Sequence, residues 1–150
     1  MKVQDVMTRN VKFCSPETNL AAAAQTMWEN DCGILPVLND EGWLEGTITD
    51  RDIAIAVGTR NRLAKDIFVG EVISRDPVVT ASPDEDLKSA LGIMRNASVR
   101  RLPVVNADGS LWGIISMNDI VLRATSRDLE DVFNALKGIC EHQATRSATA

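Results

Sequence analysis

The sequence predicts an α/β (α+β) protein built from two pseudo-symmetric β-α-β-β-α repeats packed through their sheets, followed by a C-terminal amphipathic helix. Two observations predict this architecture: the second half repeats the first at a constant offset of 67 residues, and each half alternates short apolar runs with a helical pattern. Glycine permits backbone conformations that other residues avoid, and proline restricts the backbone. The repetition of both at one offset therefore indicates one supersecondary unit formed twice. The matched positions are Pro16 and Pro83, Leu20 and Leu87, Met27 and Met94, Pro36 and Pro103, Gly42 and Gly109, Gly46 and Gly113, Asp52 and Asp119, and Ile53 and Ile120.

The repeat sets the expected organisation of the 150 residues. We assign residues 3–58 to the first repeat, 59–68 to a linker, 69–124 to the second repeat and 125–150 to a C-terminal helix and tail. Each half, at about 67 residues, is close to the smallest size at which a domain buries enough apolar surface to fold.

Each repeat opens with a predicted strand and helix. Residues 11–14 are apolar enough for a short strand, and residues 78–81 are their counterparts. The motif Ser15-Pro16-Glu17 combines a helix-capping residue, a proline and an acid, which is typical of a helix start. Ser82 begins the equivalent motif. We therefore expect the first helix of each repeat to begin at these serines.

A hairpin and a second helix complete each repeat. Two apolar runs flank a polar turn at residues 39–42, and again at residues 106–109, which predicts a β-hairpin. Pro36 and Pro103 lie in the first strand of each hairpin, so that strand should lie at a sheet edge or carry a bulge. The second helix should begin at Asp50 or Arg51 in one repeat, and at Met117 or Asn118 in the other.

A further amphipathic helix is predicted over residues 126–142. One side carries an apolar stripe that something must cover: Leu129, Val132, Phe133, Leu136, Ile139 and Cys140. The helix could pack on its own domain, or it could form a homodimer seam or dock on a larger effector protein. We favour a homodimer.

The segment from Gly46 to Asp52, which recurs from Gly113 to Asp119, is the candidate functional motif of the chain. In each copy a strand runs into a hydroxyl residue, and an aspartate follows three positions later. One interpretation is a capping box that stabilises the helix start. The other is a ligand site, in which the hydroxyl contacts a phosphate and the carboxylate accepts hydrogen bonds from ribose hydroxyls.

Composition excludes several classes of function. The net charge of −5 disfavours a nucleic-acid surface, and no apolar run reaches the length of about 18 residues that a membrane span needs. Three cysteines without Cys-x-x-Cys spacing predict reduced thiols, no metal site and a cytoplasmic location. His142 is the sole histidine, and no nucleophile or phosphate-loop motif accompanies it, so the sequence does not predict an enzyme.

The order and doubling of these motifs resemble a tandem pair of CBS (cystathionine-β-synthase) domains, a stand-alone Bateman module. The resemblance covers residues 3–124 and includes the paired glycine-to-aspartate segments, the Leu-Pro-Val strands at 35–37 and 102–104, and the openings at 5–8 and 71–74. It implies clefts between the two repeats that bind AMP, ADP, ATP or S-adenosylmethionine, with no cofactor required. The module would regulate an unknown effector protein. The alternative is a ligand-free dimerisation or interaction module that acts through its C-terminal helix.

The resemblance also implies roles for particular residues. Asp52 and Asp119 would hold ribose hydroxyls. Thr49 and Ser116 would contact ribose or phosphate. The expected phosphate contacts are Arg51, Arg100 and Arg101, and the expected border of the adenine is Met7, Thr8, Val11, Cys32 and Ile114. Because Gly33 and Ile34 stand where the second repeat has Arg100 and Arg101, we expect the site near these arginines to bind more tightly.

Overall fold

The computed structural model describes the backbone of residues 1–148 and the side chains of residues 1–141. The chain forms two compact units. One contains residues 1–10 together with the chain from residue 79 onward, and the other contains residues 11–78. Each unit therefore takes its opening segment from the other sequence repeat.

Both units contain the elements of a mixed helix and strand fold. The unit of residues 11–78 contains α2 (Leu20–Glu29), β2 (Ile34–Leu38), β3 (Leu44–Thr49) and α3 (Asp50–Arg60), followed by 3₁₀ turns at Ala64–Asp66 and Val69–Glu71. The other unit contains α1 (Val3–Val6), β1 (Thr8–Arg9), α4 (Leu87–Ala97), β4 (Arg101–Val105), β5 (Leu111–Ser116), α5 (Met117–Arg123) and α6 (Leu129–Ala148).

The predicted hairpins are confirmed. β2 pairs antiparallel with β3, and β4 pairs antiparallel with β5. Gly42 and Gly109 adopt φ values of 84° and 85°, which side-chain-bearing residues rarely reach. β4 is an outer strand of the order β1-β5-β4, and both hairpins shift register just after the proline. A proline has no backbone N–H, which explains this position.

The predicted starts of the first helices are wrong. α2 begins at Leu20, capped by the side chain of Asn19, and α4 begins at Leu87 after Asp86. The Ser15 segment forms a separate turn instead, in which the Thr18 N–H donates to the Ser15 carbonyl at 3.1 Å. Serine and proline favour turns as well as helix starts, and here the turn precedes the helix.

The predicted strands over residues 11–14 and 78–81 are much shorter than expected. Each is reduced to one parallel bridge, from Cys14 to Val37 and from Ala81 to Val104. Each bridge attaches the start of the repeat to the proline-containing strand of its own hairpin. The start of the second helix of each repeat was predicted correctly. α3 begins at Asp50 and α5 begins at Met117.

Buried residues form one cluster in each unit. In the unit of residues 11–78 the cluster is centred on the α2 face and the hairpin: Leu20, Ala23, Met27, Leu35, Val37, Ile48 and Ile53. In the other unit it includes the opening segment and α6: Val3, Val6, Met7, Leu91, Met94, Leu102, Ile115, Ile120, Val132, Ala135 and Ile139. The buried residues of α2 recur at spacings of three and four residues, so one face of this helix packs on the core.

The C-terminal helix α6 packs on α4 of its own unit. Val132, Ala135 and Ile139 are buried there. A Cβ atom at Gly138 would lie 2.5 Å from Cγ of Arg95, so this glycine lets the two helices approach closely. Of the helices in the described part of the chain, none combines the length and the apolar character needed to cross a bilayer.

The six-residue apolar stripe predicted for this helix is divided between two faces. Ile139 is buried, whereas Leu129, Phe133 and Cys140 are exposed. Within one chain α4 covers only part of the predicted stripe, and the contact also includes Ala135 and Gly138, which the apolar pattern did not single out.

Candidate functional site

The two glycine-to-aspartate segments fold identically as helix caps. Thr49 is the N-cap of α3, and its Oγ1 accepts from the Asp52 N–H at 3.1 Å while the Thr49 N–H donates to Oδ2 of Asp52 at 2.9 Å. Ser116 and Asp119 repeat both contacts at 3.1 and 2.9 Å at the start of α5. The capping-box interpretation is therefore confirmed in both copies.

The second carboxylate oxygen distinguishes the two copies. Oδ1 of Asp119 accepts from Oγ1 of Thr8 at 3.2 Å and lies 3.8 Å from Nη1 of Arg123. Among the residues that the structure describes, no group donates to Oδ1 of Asp52. The cap thus uses one oxygen of each aspartate, and the other oxygen is an open acceptor at Asp52 and an occupied one at Asp119.

A close approach of backbone brings Thr8 to Asp119. β1 pairs with β5, with Thr8 opposite Ile114. A Cβ atom at Gly113 would lie 2.4 Å from the Thr8 carbonyl oxygen and 3.3 Å from Sδ of Met7. Glycine is required at this position, since any side chain would push β1 away from β5.

The predicted arginines of the second repeat lie beside the same cap. Arg101 is the first residue of β4 and pairs with Ser116, the last residue of β5. The Arg100 carbonyl accepts from the Met117 N–H at 2.8 Å. This unit therefore contains one group of the predicted site residues: Met7, Thr8, Arg100, Arg101, Ile114, Ser116 and Asp119.

The remaining predicted residues belong to the unit of residues 11–78: Val11, Cys32, Thr49, Arg51 and Asp52. Cys32 is half-buried and precedes Gly33, whose carbonyl accepts from the Asp50 N–H at 3.2 Å, the counterpart of the contact at Arg100. Arg51 is exposed in the first turn of α3, and Val11 is half-buried at the first position of the unit.

Two arginines of the linker share one carboxylate partner. Nη1 of Arg62 lies 2.8 Å from Oε1 of Glu71, and Nη1 of Arg60 lies 3.9 Å from the same atom. The hydrogen bond from Arg62 lowers the pKa of Glu71. These cations are thus tied to the 3₁₀ turn at Val69–Glu71, as surface charges of the fold.

Two further arginines were missed by sequence reasoning. Nη1 of Arg123 donates to the Val6 carbonyl at 3.0 Å and also neighbours Asp119, which joins α5 to the opening segment. Arg9 lies over the ring of Trp112 at 4.6 Å from its centroid. The spacing of four residues between Asp119 and Arg123 was a usable helical signal, whereas nothing local connects Arg9 with Trp112.

The described residues contain no group of three or more His, Cys, Asp or Glu side chains placed to hold a metal ion. Cys14, Cys32 and Cys140 are free thiols. The side chain of His142 lies outside the described part of the structure. The chemistry of the two caps is therefore that of carboxylates, hydroxyls and nearby guanidinium groups.

Comparison with known proteins agrees with the doubled geometry. The family model described as "CBS domain" matches residues 3–58 and 69–125. Hypoxic response protein 1 of Mycobacterium tuberculosis is 32% identical over 146 residues, which are 96% of this chain and 97% of that protein.

Solved structures of related proteins have the same fold. A crystal structure of Hypoxic Response Protein I with two coordinated zinc ions has a TM-score of 0.75 at 30% identity, covering 83% of this chain and 100% of that one. CBSX2 in complex with AMP has a TM-score of 0.69 at 28% identity, covering 82% and 95%. The CBS domain pair of protein MJ0100, in complex with 5-methylthioadenosine and S-adenosyl-L-methionine, has a TM-score of 0.73 at 25% identity, covering 81% and 98%.

Proposed function

Because the chain belongs to the CBS domain family, we propose that it is a regulatory module that binds an adenine nucleotide and modulates a partner protein. The candidate ligands are AMP, ADP, ATP and S-adenosylmethionine. The observation that carries the proposal is the doubled cap, in which one carboxylate oxygen of each aspartate accepts from the backbone N–H of the N-cap residue. The other oxygen of the rigidly held carboxylate can accept hydrogen bonds from ribose hydroxyls.

The surroundings of the two aspartates support unequal binding. Arg100 and Arg101 adjoin the cap of Asp119, whereas Gly33 and Ile34 occupy the equivalent positions beside Asp52. A guanidinium group can donate two parallel hydrogen bonds to two oxygens of one phosphate. The site at Asp119 therefore favours a phosphorylated ligand. A ribose hydroxyl there replaces the hydrogen bond that Thr8 now donates.

Substitution of the aspartates tests the ribose role. Asp119→Ala removes a charge-assisted hydrogen bond, so we expect nucleotide affinity to fall by roughly 10- to 100-fold. The lost cap costs only about 0.5–2 kcal/mol of unfolding free energy, which a folded domain tolerates. Asp52→Ala probes the other site. Asp40→Ala, at an exposed carboxylate in the β2–β3 turn, is the matched control for charge.

The assay combines thermal shift and calorimetry. The protein is first screened against AMP, ADP, ATP, NAD and S-adenosylmethionine, because a ligand that binds the folded state raises the melting temperature. Titration calorimetry then measures the variants. The ribose role is wrong if Asp119→Ala and Asp52→Ala both bind as tightly as Asp40→Ala. The nucleotide proposal fails if no compound shifts the melting temperature.

We propose that binding acts on a partner and involves no catalysis. A ligand can shift a conformational equilibrium only by its difference in affinity for the two states. Release of product from ATP and magnesium at enzymatic rates would contradict this proposal. The three free thiols support a cytoplasmic setting.

A second candidate function is assembly through the C-terminal helix. It is favoured by the exposure of Leu129 and Phe133, at 60% and 65% of their surfaces. Under this alternative the chain is a dimerisation or interaction module, and the ligand screen gives no shift while an assembly through α6 persists.

A further inference from the structure

A groove runs between α4 and α6 of the same unit. Its floor is apolar, because the buried residues Leu91 and Ala135 line it. Its volume is about 140 Å³. An apolar cavity of about 150 Å³ can hold one benzene molecule, so the groove has room for the body of a small organic ligand.

Gly92 keeps the middle of the groove open. A Cβ atom at this residue would meet no other atom within 4 Å, although the residue lies inside α4. Glycine inside a helix costs stability relative to alanine, and neither a positive φ nor a close contact requires it here. The space beside it is part of the groove.

Arg95 lines one end of the groove with its stem held in place. A Cβ atom at Gly138 would lie 2.5 Å from Cγ and 3.1 Å from Cδ of Arg95, so the aliphatic stem lies across α6. Among the residues that the structure describes, no carboxylate pairs with its guanidinium group. Arg95 thus offers an anchored cation whose five N–H donors are available to a ligand.

The other end of the groove carries a charge pair. Nζ of Lys88 lies 3.2 Å from Oδ1 of Asp131. Seven residues separate Lys88 from Arg95, which is about 10 Å along the helix. The exposed amide of Asn134 lies between the two ends and has no hydrogen-bond partner within the described part of the chain. The polar lining therefore carries one net positive charge.

We propose that this groove is a binding site for a small organic carboxylate with an apolar body. Arg95 holds the carboxylate through two parallel hydrogen bonds, and Asn134 donates a further one. The body of the ligand lies on Leu91 and Ala135, beside Gly92. An inorganic anion would leave this apolar floor uncovered, which is why the geometry favours an organic one.

The site belongs to the second repeat alone and is separate from the helix caps. Ala21 and Trp28 stand where the second repeat has Lys88 and Arg95, so the first repeat lacks both cations. No residue of either capping box lines the groove. Binding here is therefore independent of the proposed nucleotide site.

Titration of the full chain with sodium benzoate, followed by amide NMR without nucleotide, tests the proposal. Benzoate joins one carboxylate to a six-carbon ring. We expect the signals of Gly92, Arg95 and Asn134 to shift, with a dissociation constant on the order of 0.1–1 mM at low salt. Benzamide lacks the charge and inorganic phosphate lacks the ring, so each should bind at least about 5-fold more weakly.

Substitution of Arg95 separates its charge from its packing. Arg95→Met keeps an aliphatic stem beside Gly138 and should weaken benzoate binding by at least about 10-fold. Arg95→Lys keeps the charge without the planar fork and should retain part of the affinity. Arg127→Met, at an exposed arginine before α6, is the matched control and should bind as the wild type does.

A carboxylate built into the groove provides an independent test. Gly92→Glu places an acid between Lys88 and Arg95, at helical spacings of four and three residues. We expect it to abolish benzoate binding and to melt about 1–2 °C above Gly92→Gln, its neutral counterpart.

Four results would overturn the proposal. Benzoate at 10 times the expected dissociation constant could leave the signals of Gly92 and Asn134 unshifted. Benzamide or phosphate could bind as tightly as benzoate. Arg95→Met could bind as tightly as Arg127→Met. Gly92→Glu could melt below Gly92→Gln, which would show that the groove repels a carboxylate.

Discussion

Replacement of Gly113 by alanine should destabilise the protein selectively at the β1–β5 pair. The added Cβ would lie 2.4 Å from the carbonyl oxygen of Thr8, whereas ordinary contacts begin near 3.4 Å. Backbone must therefore move by about 1 Å, because the neighbouring atom is a carbonyl and cannot rotate away. Overpacking of this kind costs about 1–3 kcal/mol.

The first repeat supplies the matched control. A Cβ at Gly46 would lie 3.0 Å from Cδ1 of Ile73, the free end of a flexible side chain. A small rotation of that side chain relieves the contact, so Gly46→Ala should cost less than about 1 kcal/mol. Alanine also reduces the entropy of the unfolded chain by about 0.4–1 kcal/mol, which offsets part of either cost.

Thermal and urea denaturation measure the difference. For a chain of this size 1 kcal/mol corresponds to about 2–4 °C in melting temperature, so Gly113→Ala should lower it by roughly 2–12 °C. Hydrogen exchange should accelerate at the amides of β1 and β5, and stay unchanged in the β2–β3 hairpin. The reasoning would be refuted if Gly46→Ala proved as destabilising as Gly113→Ala, or if β1 kept its protection.

Three further predictions concern the caps and the thiols. Thr49→Ala and Ser116→Ala should each lower the unfolding free energy by about 0.5–2 kcal/mol in urea titrations, and Thr49→Ser should restore the cap, since both caps have the same geometry. Burial raises the pKa of Cys14 to about 11, whereas Cys140 is exposed, so iodoacetamide at pH 8 should modify Cys140 first; equal rates by mass spectrometry would contradict this. The pKa of Cys14 in the folded state exceeds the unfolded value of about 8.5. The stabilisation that comes from burying the neutral thiol is therefore complete below about pH 8.5 and is lost as the pH rises towards 11. Melting temperatures recorded across this pH range measure the loss.

The elements that the sequence predicted well depend on local chemistry. The hairpins follow from turns whose glycines adopt positive φ, and the caps follow from a hydroxyl residue three positions before an acid. In each case the interacting groups are separated by only a few residues. Their geometry is decided by backbone preferences that the residue types carry with them.

The errors occurred where two local patterns competed. Ser15-Pro16 is compatible with a helix start and with a turn, and only the hydrogen bonds of Asn19 show that the helix begins later. The apolar pattern of α6 likewise did not show which stripe would be covered. That choice depends on Gly138, which allows Arg95 to come close.

Sequence alone determined that this protein contains one unit twice, where its hairpins and caps lie, and that each unit presents an aspartate beside a hydroxyl. Tertiary structure decided that residues 1–10 pack with the second hairpin and that Thr8 donates to Asp119 across 111 positions of the chain. It also decided that α6 covers α4 with one stripe and exposes the other. The physical reason is that capping and turn formation are local, whereas the partner of a carboxylate oxygen or an apolar stripe depends on which distant segments the packed core brings together.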